Sequence, residues 1–339
     1  MTRRLASLAE ALGPVLAGLE PAAPVKLPPL DAVGLILAAP LHASGPVPAA
    51  ATALRKGLAV RSLDLVGASP HAPALLAAHP PMVRAGEPLP PGCDAVLDPD
   101  AVTDHGGWLE AVEAPAPGWQ ARLAGHDLAA GAVLAPAGAL FTPELALAAC
   151  LAGIAQVAAR RPVVAVEIAD PALRTWLELR LAGLGCVMRA ATGSGPPALI
   201  LRAAGDGPPR LALQPGETAW IAREGEAAAI DLPARFDGAV SAFCALALPV
   251  LARLTGAAPR PVSVRLAGKL TSAIGLTELA LFRLEADMAV PLASGDVTLA
   301  ALAAADAFCL TPPEAEGFAA GASLDLIRFS SLTARPGQP

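Results

Sequence analysis

The chain of 339 residues contains no tyrosine, and aromatic residues make up only 3% of it. Lysine is confined to Lys26, Lys56 and Lys269, so arginine carries most of the positive charge, and the formal net charge is -6. A nucleic-acid partner needs a cationic footprint or a row of stacking rings. Neither is present, and no nucleic-acid binding is expected. The five cysteines, Cys93, Cys150, Cys186, Cys244 and Cys309, form no C-x-x-C pair. Thiols scattered in this way argue against a disulfide framework or a zinc site and read as small buried side chains. Long uninterrupted apolar runs are missing as well. Residues 32–54 are uncharged but broken by Pro40, His42, Pro46 and Pro48. Gly238 to Ala252 is apolar but short of the roughly 20 residues that span a bilayer. Met1-Thr2-Arg3-Arg4 leads into an amphipathic segment with Glu10 rather than a signal-peptide core. A cytoplasmic protein with no membrane partner is the expectation. No G-x-S-x-G, G-x-x-x-x-G-K-[ST] or H-E-x-x-H occurs, so none of those chemistries is announced.

What the chain does have is apolar material: 54% hydrophobic against 16% charged residues. That supplies ample core for about two to four domains and excludes disorder by composition. Leu5 to Leu19 repeats apolar residues at helical spacing until Pro21, and Leu30 to Leu41 reads as a second helix with Asp31 in its first turn. From Gly57 to Leu123 the pattern changes to short runs broken by Gly and Pro: Leu58-Ala59-Val60, Met82-Val83, Ala95-Val96-Leu97 and Leu109 to Val112. These predict a small β-domain with tight turns. A helix is expected over Thr142–Val157, with Thr142 as N-cap and Pro143 at its first position. Arg161 to Val166 reads as a buried strand, Pro171 to Leu184 as a helix closed by Gly185, Ala198 to Leu201 as a strand, and Ser241 to Leu254 as a long apolar helix. Past Pro259-Arg260-Pro261 an all-β tail follows, with Val262–Leu266 and Glu278–Leu284 alternating in strand fashion.

Several ordered segments stand out. Pro88-Leu89-Pro90-Pro91-Gly92-Cys93-Asp94-Ala95-Val96 precedes Arg122-Leu123-Ala124-Gly125-His126-Asp127-Leu128 and Gly131-Ala132-Val133-Leu134. The tail carries Gly275-Leu276-Thr277-Glu278, Val290-Pro291-Leu292, Ser294-Gly295, Leu302 to Phe308, Pro312-Pro313-Glu314 and Ala320-Gly321. In this order they resemble the molybdopterin molybdenumtransferase family, the MoeA and gephyrin E-domain group, which inserts molybdate into adenylylated molybdopterin. The resemblance covers nearly the whole chain. It implies a multidomain α/β plus β protein of elongated, MoeA-like architecture. Residues 1–42 and 124–160 would form helices and a linker layer, 43–123 an inserted β-domain, 161–257 a shortened, MogA-like α/β domain, and 258–333 a C-terminal β-barrel. It also implies a homodimer held through the Leu5–Val166 region, with clefts between one subunit's α/β domain and its partner's β-domain.

The frame is kept where the chemistry departs. The family reaction needs carboxylates for Mg²⁺ and glycine-rich backbone for phosphate. In Leu54-Arg55-Lys56-Gly57-Leu58-Ala59-Val60, Lys56 stands where the resemblance expects an aspartate. Like unit charges 4 Å apart repel by about 4 kcal/mol at an effective dielectric of about 20, and a divalent ion doubles this. Magnesium is therefore expected not to bind, and no metal ligand is assigned. Ala85 replaces a threonine, and His126 replaces a glutamate between the retained Arg122, Gly125 and Asp127. Ile168-Ala169-Asp170-Pro171-Ala172 has lost a pair of acids, with Asp170 one position early. The phosphate loop shrinks to Ala203-Ala204-Gly205-Asp206-Gly207, and Thr192-Gly193-Ser194-Gly195 is an alternative nest or a plain surface loop. Gly185–Ala198 is too short for a full crossover helix. Leu213-Gln214-Pro215-Gly216-Glu217 has lost both lysines of its turn, and Ala234-Arg235-Phe236-Asp237-Gly238 replaces a Leu-Pro-Gly-Asn-Pro loop.

The candidate catalytic acids are Asp127 and Asp170, on this resemblance, and Asp100. Asp127 competes with a solvated turn and Asp170 with a helix N-cap. Asp100 belongs to a polar cluster with Asp98, Asp104 and His105 that is either a metal-capable group or a solvated loop. Residues toward molybdopterin, or its adenylylated form, are Lys56, Arg122, His126, Gly205, Gly207, Pro215, Gly216, Asp237 and Gly238. Two functions follow. One is a molybdenumtransferase with reduced or lost activity; the other is a non-catalytic scaffold or chaperone that holds molybdopterin, a molybdoenzyme or another protein of cofactor biosynthesis.

Overall fold

The computed structural model describes residues 4–76, 79–189, 196–205, 207–257 and 260–332. The first helix, Leu8–Ala17, begins later than the apolar spacing suggests because Ser7 and Glu10 close a reciprocal capping box. The Glu10 N–H donates to Ser7 Oγ at 3.2 Å and the Ser7 N–H to Glu10 Oε2 at 2.8 Å. Ala6, left outside the helix, bridges in parallel to Leu211.

The second helix expected over Leu30–Leu41 is not formed. Only Pro29–Ala32 is helical, Gly34 turns the chain at φ 79°, and Ile36–Leu37 and Leu41–His42 are strands. The reason lies in Val157–Arg160, which pairs antiparallel with both Pro24–Leu27 and Ile36–Leu37. The third helix was expected to run on as far as Val157. That helix is Pro143–Leu151, capped by Thr142 Oγ1 accepting from the Leu145 N–H at 3.3 Å, and Gly153 (φ 69°) turns the chain away from it. Sheet pairing has overridden helix propensity at both places.

The small β region is built as its short apolar runs predict. Gly57–Val60 lies between Met82–Val83 and Ala95–Leu97, and Leu109–Ala111 between Ala74–Leu76 and Val102–Asp104. A side chain at Gly57 would overlap the Leu97 carbonyl oxygen and Val96. That close approach fixes the turn that presents Lys56.

A five-stranded sheet follows, in the order Val187–Met188, Val163–Glu167, Leu199–Ala203, Ala227–Leu232, Trp220–Glu224; the last strand alone runs antiparallel. The helix Pro171–Gly183 buries Leu173, Leu177 and Leu181, one residue per turn. The helix Phe236–Thr255 is longer than its sequence suggests and has the length and composition to cross a bilayer. Here it is the core helix: Phe243, Leu246, Ala247 and Val250 are fully buried. It widens to a π turn over Phe243–Ala247. Pro249 explains this, since its ring would strike the carbonyl four residues back in a regular helix. Gly256, at φ 80°, ends it.

The C-terminal sheet closes into a barrel. Thr277–Glu285, Met288–Ser294, Val262–Leu266, Ser323–Arg328 and Ala307–Leu310 pair in sequence, and the last returns to Thr277–Glu285. The alternation expected for Glu278–Leu284 is absent from the burial pattern, because Thr277 to Phe282 are buried without a break. Ala280 and Phe282 fill the barrel. Leu279 and Leu281 point the other way, into the large core shared with the five-stranded sheet, the core helix and Ala11, Val15 and Leu19. Replacing Phe282 by alanine is expected to cost about 3–5 kcal/mol of stability. Leu299→Ala, at a position 65% exposed, should cost no more than about 0.5 kcal/mol. Urea denaturation of the two variants side by side checks this, and equal midpoints would contradict the assignment of the barrel interior.

Candidate functional site

A cleft of about 690 Å³ opens where the loops of the α/β region meet the barrel. The short strand Leu213–Gln214 pairs in parallel with Thr277–Glu278 of the barrel and delivers Pro215, Gly216 and Glu217 to one wall. The loop entering the core helix brings Pro233, Arg235, Asp237 and Gly238, and the barrel adds Leu276, Gly295 and Asp296. Two of these glycines are dictated by contact. Gly216 has φ 127°, and a Cβ there would lie 3.0 Å from Leu213 Cδ2 and 3.4 Å from the Gly238 carbonyl oxygen. A Cβ on Gly238 would lie 2.9 Å from Pro233 Cβ. The two loops therefore touch backbone to backbone, which only glycine permits.

Asp237 is 3% exposed at the mouth of this helix. Its carboxylate accepts from Arg235 Nε at 3.2 Å, from Arg235 Nη2, and from the Gly238 N–H at 2.8 Å. The Arg235 side chain itself remains 82% exposed, projecting beside the cleft. Its hydrogen bond to Asp237 and that carboxylate's charge raise the guanidinium pKa above its ordinary value, with Glu217 and Asp296 adding their charges. Glu217 Oε2 accepts from the Gly216 N–H at 3.0 Å. Behind Gly295 lies Glu278, 5% exposed, whose carboxylate takes the Ser294 hydroxyl at 2.7 Å and the Ala273 N–H at 3.2 Å. A Cβ on Gly295 would come within 2.8 Å of that carboxylate. Pro215, Gly216, Asp237 and Gly238 are thus brought together in one cleft. Arg235 and Glu217 showed in the sequence only as departures from a pattern. Asp296 carried no signal beyond following the Ser294-Gly295 turn.

The remaining candidates lie elsewhere in the chain. Lys56 lines a small cavity of about 200 Å³ with Arg55, Val96, Leu97, Asp98, Glu113, Trp119 and Gln120, inside the β region. Gly205 and Gly207 follow the strand Leu199–Ala203, and a Cβ on Gly207 would lie 3.9 Å from Arg210 Nη2. Asp206 and the possible nest at Thr192–Gly195 fall outside the described residues. Asp170 caps the helix Pro171–Gly183, accepting from the Leu173 N–H at 2.7 Å. Asp100 sits exposed in the 3-10 turn Pro99–Ala101, its N–H bonded to Asp98 Oδ1 at 3.2 Å. Asp104 accepts from Gly106, and His105 stacks on Trp108 with ring centroids 4.3 Å apart while bonding Glu110. Asp170, Asp98 and Asp104 thus serve their own turns, while the Asp100 carboxylate accepts no hydrogen bond among the described residues. Among the described residues no three His, Cys, Asp or Glu side chains are grouped to hold a metal ion. The cysteines are free thiols, and burial pushes Cys186 and Cys309 up to about 12, which keeps them protonated and poor nucleophiles.

Asp127 anchors a third, exposed group. Arg122 Nη1 reaches both its oxygens, at 2.8 and 3.0 Å, and His126 Nδ1 lies 3.1 Å from Oδ1. The His126 bond first, and then Arg122, hold this carboxyl below its ordinary value. A depressed carboxyl pKa stabilises the fold above the unfolded value, about 3.9, and that contribution disappears as pH falls through the lower folded value. A carbon-detected NMR titration should therefore find the Asp127 midpoint below about 3.9, with His126→Ala moving it upward. An unchanged midpoint in that variant would show that His126 does not set it.

Against known proteins, residues 6–153 match the MoeA N-terminal region (domain I and II). The chain is 33% identical to molybdopterin molybdenumtransferase 2 from two strains of Mycobacterium tuberculosis, over 44% of its own length and 42% of theirs. The matched stretch thus spans under half of those curated relatives. The molybdopterin biosynthesis MoeA protein of Pyrococcus horikoshii superposes with a TM-score of 0.74 at 22% identity, over 96% of this chain and 99% of that one. A molybdenum cofactor biosynthesis protein from Pyrococcus furiosus does so with a TM-score of 0.59 at 17% identity, over 96% of this chain and all of that one. At such identities the structures speak for the fold, and the multidomain α/β and barrel architecture expected from the sequence is theirs. By sequence, residues 6–153 are thus similar to the MoeA N-terminal region, and by fold 96% of the chain follows the architecture of MoeA proteins.

Proposed function

We propose that this protein acts in the cytoplasm in molybdenum cofactor biosynthesis, binding molybdopterin or its adenylylated form with reduced or lost molybdate-inserting activity. The charge around the large cleft carries this reading. A tetrahedral oxyanion or a phosphoanhydride calls for cationic or N–H donors where charge develops. The Pro215–Gly216 turn instead continues into Glu217, Asp296 lines the opposite wall, and the guanidinium of Arg235 is already paired with Asp237. Magnesium is poorly served by this cleft, where Asp237 is already engaged by Arg235, and the separate cavity at Lys56 presents an ammonium where a carboxylate would be needed. What these residues can do is bind: the glycine backbone of residues 216 and 238 admits close approach, Arg235 donates, and Glu217 and Asp296 accept.

The second reading, a non-catalytic scaffold for molybdopterin or a client molybdoenzyme, draws support from the β region. Leu63, Val66, Leu75 and Trp108 are exposed there, at 64%, 76%, 67% and 46%, and apolar side chains left in water are used for contact. A second copy of the chain is the partner proposed for the N-terminal layer. The helix Pro143–Leu151 carries no charge beyond Glu144 in its first turn; Leu147 and Leu151, one turn apart, are exposed at 63% and 64%. Leu30 is 74% exposed on the helix Pro29–Ala32, which packs against it. A dimer would let the cleft of one copy and the Lys56 cavity of another face a shared ligand.

Two outcomes follow. Purified protein given adenylylated molybdopterin, molybdate and Mg²⁺ should bind the pterin yet release no AMP and yield no active cofactor above the protein-free background. Sustained Mg²⁺-dependent conversion would overturn the loss of activity. In sedimentation, the wild type should run at twice the chain mass, and the double variant Leu147→Asp, Leu151→Asp should run as a folded monomer. A wild-type monomer at micromolar concentration would end the dimer proposal.

A further inference from the structure

The donors and acceptors of the large cleft are arranged unevenly. Asp237, buried, occupies Nε and Nη2 of Arg235 and so fixes the guanidinium plane. Nη1 of that side chain, which lines the cleft, keeps two N–H donors that no hydrogen bond engages among the described residues. Asp296 lines the same cleft with an exposed carboxylate that accepts no hydrogen bond among the described residues. Its charge reaches Arg235. The residue before it, Gly295, is held to a bare backbone by Glu278 directly beneath, so no side chain stands there. Glu217 also faces Arg235, but one of its oxygens is taken by the Gly216 N–H.

The consequence is a fixed donor beside a free acceptor in a surrounding that is negative on balance. Arg235 is offset by Asp237, while Glu217, Asp296 and the buried Glu278 form no ion pair of their own among the described residues. A phosphate or oxyanion would meet one guanidinium and several carboxylates. An edge that places a carbonyl next to N–H groups would meet a partner for each. An amino-oxopyrimidine has that edge, and a carboxylate can accept from its amino and ring N–H groups together.

We infer that Arg235 and Asp296 read the 2-amino-4-oxopyrimidine edge of a pterin, Arg235 donating to the 4-oxo group and Asp296 accepting from the 2-amino group, with Asp237 positioning Arg235. This rests on the proposed function, in which the cleft takes a pterin ligand. It adds which end of the ligand enters: the heterocycle goes to the Arg235–Asp296 wall, and its phosphate is directed away from it.

Two free pteridines test this, each followed by its own fluorescence on titration with the full chain. Pterin carries the 2-amino group; lumazine has an oxo group in its place and keeps the 4-oxo group. Pterin should bind about tenfold or more tightly, because the oxo group leaves Asp296 facing another acceptor. Asp296→Asn should bring the ratio close to one, since an amide can also donate. Arg235→Gln should weaken both pteridines alike and leave the ratio unchanged. Asp237→Asn should weaken both as well, and the Arg235→Gln, Asp237→Asn double variant should be no worse than the weaker single variant, a non-additivity that general loss of structure would not give. Inorganic phosphate at millimolar concentration should not displace pterin. Equal binding of the two pteridines, an unchanged ratio in Asp296→Asn, displacement by phosphate, or no saturable binding of either would each overturn the inference. Binding of adenylylated molybdopterin with no preference between the free pteridines would sink this inference alone. A pterin preference without binding of adenylylated molybdopterin would sink the proposed function instead.

Discussion

The strand Thr277–Glu285 ties the molecule together because both of its faces are buried. A barrel strand ordinarily has an inner face in the core and an outer face in water. Here the outward residues Leu279 and Leu281 enter the large core beside the central helix, while Ala280 and Phe282 fill the barrel. The barrel is therefore packed onto the α/β region through one strand's second face. That strand also pairs with Leu213–Gln214, so the same element that joins the two units sets the position of the Pro215–Gly216 turn. The cleft lies where it does because this junction leaves loops from both sides facing each other.

Within the cleft, electrostatics decide what backbone geometry allows. The close approach of Gly216 and Gly238 is the kind of bare-backbone surface that can receive a ligand. The side chains above it carry more acid than base. A buried aspartate that holds an exposed arginine trades some cationic reach for a fixed direction: the guanidinium keeps its charge but gains a partner that partly cancels its field at a distance. Recognition by oriented hydrogen bonds is favoured in such a place over attraction of a free anion.

The relation between scaffold and chemistry here is uneven. Close to the whole length superposes on MoeA proteins at low identity, and the turns that shape the fold persist in the sequence. The residues at which the sequence departs from the resemblance, such as Lys56, Ala85 and Glu217, are exposed and so cost the fold little. A fold is held by its buried residues, and a site by a few groups placed upon them.

The sequence by itself determined the short strands of the β region, the Thr142 and Asp170 caps, the apolar core helix and the order of the units, because each depends on local periodicity and capping chemistry. It also displayed every charge change that marks this chain. Only the tertiary structure decided that Ile36–Leu37 and Val157–Arg160 are strands rather than helix, since their pairing joins residues more than a hundred positions apart. It alone placed Asp296, from the barrel, beside Arg235, from the helix entry. It likewise showed that Asp170 is occupied by its own helix cap while Asp237 holds an arginine. A hydrogen-bond partner distant in sequence leaves no local pattern, because neither periodicity nor spacing records which loops the barrel junction brings face to face.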